Sequence, residues 1–213
     1  MKTDDLIAML ASGPDVPVTG SASGPIARFL LGGLASSFVL MLVLLGVRHD
    51  LLSAAALPAF WLKVLFAVAL AWAGWLAAKR LATPGARLAM APVYLGAPVL
   101  VVWAIAAAML WRATPDEAAV LFWGGTWRVC PFLIALLSLP VLVAAMKAMR
   151  ALAPTRLRLA GAAAGFAAGA SATAVYCLHC PEMSPVFVGF WYLVGIMIST
   201  LLGALAGPRA LAW

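Results

Sequence analysis

Charge is what this sequence has least of. Only 10% of its 213 residues are Asp, Glu, Lys or Arg, where a water-soluble domain carries roughly 25%. So little charge cannot cover a water-facing surface, and an ordinary soluble fold is excluded. Acids are scarcer than bases, 7 against 14. Cysteine and histidine are rarer still, at 3 and 2 residues. There is one Cys-x-x-Cys and no second, so no paired metal-ligand motif is present.

What the chain does have is apolar length. It is 66% hydrophobic, with a mean hydropathy of +1.08. A helix needs ~20 mostly apolar residues to cross ~30 Å of hydrocarbon. Six runs qualify, about 26–47, 58–78, 88–110, 130–146, 157–177 and 186–206. Backbone in lipid must satisfy its own hydrogen bonds, so each run is expected to be a helix. The expected fold class is all-α: a polytopic membrane protein with six transmembrane helices. Residues 1–25 are its tail and 26–213 its transmembrane domain. The first run is long enough to span, so no cleaved leader is expected.

The basic residues set the orientation. With the N-terminus inside, Lys2, Arg28, Lys79, Arg80, Arg87, Lys147, Arg150, Arg156, Arg158 and Arg209 fall on the cytoplasmic face. The outer face holds Arg48, Arg112 and Arg128, and Lys63 lies inside the second span. This asymmetry in short loops predicts cytoplasmic N- and C-termini. The net charge of +7 is thus a topology signal, and direct nucleic-acid binding is not expected. Lys63, about one turn into its span, is expected to snorkel to the outer headgroups.

The same orientation puts every thiol and imidazole outside. Cys130 opens the fourth span, and Tyr176-Cys177-Leu178-His179-Cys180-Pro181-Glu182 closes the fifth. The two spans form a hairpin with arms of nearly equal length, which brings the three sulfurs to one height. A structural disulfide from Cys130 to Cys180 or Cys177, a redox- or metal-responsive pair, and inert buried thiols are three open states. A transient thiophilic metal ion would find candidate ligands in Cys130, Cys177, Cys180, His179 and His49. No resident cofactor is expected. Because His179 precedes Cys180, the segment is not a haem-attachment sequence.

Three scaffold features complete the reading. Gly161, Gly165 and Gly169 form a small-xxx-small repeat suited to close helix packing. Thr114, Pro115 and Glu117 spell a capped helix start in an outer loop, where Trp111, Trp123 and Trp127 fit an aromatic belt. In the tail, Asp4 and Asp5 suit a helix N-terminus, and Leu6, Ile7, Met9 and Leu10 supply an apolar face. Such a tethered stripe can lie on lipid or enter the groove of a partner protein. A flexible linker is expected over 16–24.

The tail Met1–Ile7, the six spans, Cys130, the run His179–Pro185 and Phe190-Trp191-Tyr192 together resemble the NrsF-like family of bacterial inner-membrane anti-sigma factors. The resemblance covers the whole chain, and Cys180-Pro181-Glu182 with Trp191-Tyr192 is its most specific part. It implies that the protein holds an extracytoplasmic-function sigma factor at the membrane, with Asp4, Asp5, Leu6, Ile7, Met9 and Leu10 in the contacting segment. It also implies that an outer cysteine pair, Cys130 and Cys180, is needed for responding to stress, heavy metal included. Cys177 falls outside that pattern. A quinone-linked thiol oxidoreductase would also put Cys-x-x-Cys on the outer side of a bundle, but it needs a second redox pair. A small transporter is the other competitor, and it would have Lys63 as its only intramembrane charge.

Overall fold

A computed structural model describes residues 3–12, 23–83 and 90–212. They form helices and loops, with no strand among the described residues. In chain order the helices are α1 (Thr3–Ala11), α2 (Ser23–Leu44), α3 (Leu51–Ala55), α4 (Pro58–Ala82) and α5 (Ala91–Arg112). There follow α6 (Pro115–Trp123), α7 (Cys130–Arg150), α8 (Leu157–Tyr176), α9 (Pro185–Phe187) and α10 (Leu193–Ala210). A π-helical turn, Val188–Tyr192, joins α9 to α10 in one apolar helix, Pro185–Ala210. Among the described residues, five helices are therefore long and apolar enough to cross a bilayer, starting at Pro58, Pro92, Cys130, Leu157 and Pro185. The remaining apolar run forms α2.

Local chemistry explains where these helices start and stop. Proline stands in the first turn of α4, α5, α6, α7 and α9, where its missing N–H costs no hydrogen bond. Thr114 caps α6 in a complete capping box with Glu117. Lys79 and Arg80, Lys147 and Arg150, and Arg209 sit in the last turns of α4, α7 and α10, where the helix dipole favours cations. Some ends differ from the sequence expectation. α7 continues to Arg150 and α10 to Ala210, because basic and small residues extend a helix beyond the hydrocarbon. In the tail, α2 already begins at Ser23, inside the linker expected over 16–24, whose earlier part lies outside the described residues.

α8 is the central strut. Of its apolar stretch 78% is buried, against 11% for α5 at the rim. It packs on α10, α4 and α7. Gly161, Gly165 and Gly169 face α10, where a side chain on them would strike the backbone of Gly203, Ser199, Thr200 and Ile196. Across the seam Gly203 and Gly207 repeat the arrangement against Gly161, Gly165 and Leu157. Without a hydrophobic force between helices in lipid, close packing and short polar links hold them together. Those links include Ser138 Oγ to Ser199 Oγ at 2.8 Å and Trp75 Nε1 donating to Ser171 Oγ at 3.0 Å.

Candidate functional site

The end of the bundle where α4, α7 and α9 begin and α8 stops holds all three cysteines, each fully buried as a free thiol. α8 ends at Tyr176, a turn before Pro181, and Cys177 caps it. The backbone then tightens, with the N–H groups of His179 and Cys180 both donating to Tyr176 O at 3.0 Å. This turn separates the two cysteines of the Cys-x-x-Cys. Cys180 and Cys130 are neighbours in one buried cluster, with Tyr176 beside both. Cys177 faces α4, its Sγ 3.9 Å from Lys63 O. The Tyr192 hydroxyl is buried beside Cys177 and Cys180, with no hydrogen-bond partner among the described residues.

Lys63 is the residue sequence reasoning misjudged. It does not snorkel: only 1% of it is exposed. Its Nζ donates to Cys180 O at 2.7 Å and to Glu182 O at 3.2 Å, and lies 5.4 Å from the Phe60 ring centroid. The rule that an intramembrane charge is functional by default pointed to it, since such a charge costs ~2.5–3.5 kcal/mol on insertion scales. The distance along the chain to its acceptors hid them.

Other ties fix the same segment. Arg48 Nη1 donates to Cys180 O at 3.3 Å, and the Arg48 N–H donates to Leu178 O at 3.2 Å. The guanidinium also pairs with Asp50 through two bonds of 2.7 Å, holding that carboxyl below the ordinary carboxylate range. The Gly125 N–H donates to Glu182 Oε1 at 2.7 Å. Gly124 next to it has φ +52°, and a Cβ there would come within 2.8 Å of the Glu182 carboxylate and the Phe187 ring. Only glycine turns there without strain.

The sequence-predicted residues divide on geometry. Cys130 and Cys180 come together and Cys177 lies close by. His179 belongs to the same segment, but its Nδ1 sits 3.0 Å from Gly46 O and its ring packs on Tyr176. His49 is exposed. Among the described residues no group of three His, Cys, Asp or Glu side chains is arranged to hold a metal. Trp127 is half-buried in a cluster with Trp123 and Trp191, ring centroids 4.6 and 5.3 Å away. Trp191 Nε1 donates to Phe122 O at 2.8 Å, tying α6 over the π turn. In the tail, Asp4, Asp5, Leu6, Ile7 and Met9 are exposed on α1, while the Leu10 side chain lies outside the described residues.

The charge environment favours chemistry at Cys180. The adjoining Cys130 thiol, with the Tyr192 hydroxyl and the Lys63 cation nearby, draws the Cys180 thiol down to about 6 against the opposing effect of burial.

The family described as "Negative regulator of sigma F" matches residues 10–213. The chain belongs to the NrsF family. A probable anti-sigma-F factor NrsF from Azospira oryzae (strain ATCC BAA-33 / DSM 13638 / PS) is 51% identical, with both chains covered in full. The anti-sigma-F factor NrsF of Caulobacter vibrioides (strain NA1000 / CB15N) is 38% identical, again over the whole of both chains. No solved structure matches. As an NrsF-family member the chain falls in a regulatory family rather than an enzymatic one.

Proposed function

We propose that this protein is an inner-membrane anti-sigma factor that sequesters an extracytoplasmic-function sigma factor through its cytoplasmic N-terminal segment. Full-length similarity to relatives named anti-sigma-F factors carries the reading. α1 supports the binding mode: Leu6, Ile7 and Met9 are 40, 59 and 64% exposed behind the acidic first turn of Asp4 and Asp5. Such a stripe is what a helix-in-groove partner takes. Six spans, α2 included, with both termini in the cytoplasm, put this segment across the bilayer from the thiol cluster.

In this reading Cys130 and Cys180 are the stress-responsive pair, acted on by an oxidant or a thiophilic metal ion, and no resident cofactor is needed. Changing that pair repacks α7 and α8, which reach the inner face and alter how tightly the sigma factor is held. Co-purification from native membranes tests the binding step. Full-length protein retains a sigma factor, and deletion of residues 1–15 loses it. A truncated protein that still retains it tells against the tail as the contact.

A further inference from the structure

The Lys63 ammonium is sealed inside the bundle with no carboxylate in ion-pairing range; among the described residues the one ion pair joins Arg48 to Asp50. The carboxylate of the same segment, Glu182, is turned to the Gly125 N–H instead. The cation's two hydrogen bonds go instead to main-chain carbonyls on either side of Pro181, those of Cys180 and Glu182. Bonds from an ionised donor are roughly twice as strong as neutral ones, and a dry setting strengthens them further. Pro181 lacks an N–H, so the helical hydrogen bonding that reaches Cys180 through its N–H to Tyr176 O goes no further. Beyond that point the segment is held from outside, by Arg48 at 3.3 Å and more closely, at 2.7 Å, by Lys63, 117 residues earlier in the chain than Cys180. The shortest of these outside ties thus links Cys180, beside Cys130, to α4, a helix carrying neither cysteine.

We propose that Lys63 is a positioning residue for the outer thiol pair: by clamping the Cys180 and Glu182 carbonyls it keeps Cys180 in bonding register with Cys130. The inference rests on the reading of Cys130 and Cys180 as the responsive pair. Its consequence is that the speed at which the pair closes is set by α4.

The test oxidises the pair in native membranes with diamide, in a Cys177→Ser background that leaves one pairing. One thiolate adds to the azo group of diamide. The second sulfur then displaces that adduct, forming the S–S bond. The hydrazine product leaves with two electrons and the two thiol protons. Mass tagging of the remaining thiols follows the rate. Lys63→Met, similar in length but without donors, closes the pair about tenfold more slowly, and Lys63→Arg, which keeps charge and donors, restores the rate to within about threefold. If Lys63→Met fails to accumulate, Lys63→Gln takes its place: its amide is one bond shorter and uncharged, so it is also expected to be slow.

Closure of the Met or Gln variant at the unsubstituted rate overturns the proposal. So does equal slowing by Met and Arg, which marks a packing role only. Loss of both Met and Gln variants from the membrane while Arg accumulates marks a folding role and overturns it too. If the chain with Lys63 intact forms no Cys130–Cys180 bond, the pair itself is refuted, an outcome separate from failure at Lys63 alone.

Discussion

At the scale of single residues, the three cysteines have one chemistry and unlike surroundings. The thiolate is the reactive form, so reactivity follows the acid constant of each site. Cys180 has its thiol drawn down to about 6 by the adjoining Cys130 thiol and its neighbours. It is therefore mostly thiolate at pH 7 and becomes protonated as the pH falls through about 6. Modification of Cys180 by a small permeant alkylating agent, followed by mass spectrometry, is expected to lose most of its rate between pH 7 and pH 5. An ordinary thiol, with an acid constant near 8.5, would be slow throughout that range and accelerate only above it. A Cys180 rate that climbs only above pH 8 would remove the special environment. Burial slows all three thiols, so the shape of the pH profile is the diagnostic quantity.

At the scale of elements, the seam between α8 and α10 is the contact with least room to adjust. Gly165 faces the backbone at Ser199 and Thr200, and backbone cannot rotate away as a side chain can. Gly165→Ile is expected to force the helices apart and destabilise the bundle by about 1–3 kcal/mol or more, the usual cost of overpacking. Gly32 on α2 is the control, because nothing lies within 4 Å of a Cβ built there. Gly32→Ala adds helix propensity worth up to about 1 kcal/mol and is expected to be neutral or stabilising. Thermal unfolding of the two variants in detergent compares them. Equal midpoints would mean that the glycine seam does not hold the bundle. α4 connects this scale to the site, since Gly74 packs against Ala167 of α8 while Lys63, three turns away, grips the segment after it.

At the scale of the whole molecule, the proposal requires the tail and the thiol cluster to lie on opposite sides of a membrane. The native cysteines are poor topology probes because all three are fully buried. Exposed positions on the two segments serve better: His49 beside the cluster and Ser12 at the end of α1. An impermeant maleimide is expected to label His49→Cys in intact spheroplasts, and to label Ser12→Cys only after the membrane is opened. The reverse pattern would invert the orientation and remove the tail from the cytoplasm.

The sequence by itself determined the class of molecule. Scarce charge and apolar runs of spanning length are properties of consecutive residues, and lipid leaves such residues only the helix. The α6 start was legible for the same reason: Thr114, Pro115 and Glu117 act within one turn of each other. Glycines four apart marked a face of α8, although the partner they meet on α10 was not written beside them. The site's inner connections were decided only by the tertiary structure. The clamp from Lys63 onto Cys180, the Arg48 bonds to the same segment, the Glu182 bond to Gly125 and the choice of Cys180 over Cys177 as neighbour of Cys130 all join distant parts of the chain. Hydropathy records whether a side chain prefers lipid or water, and by that measure Lys63 belonged at the headgroups. Its burial depends on carbonyls freed where Pro181 interrupts the backbone, and they come within its reach only once α4 and α8 have packed.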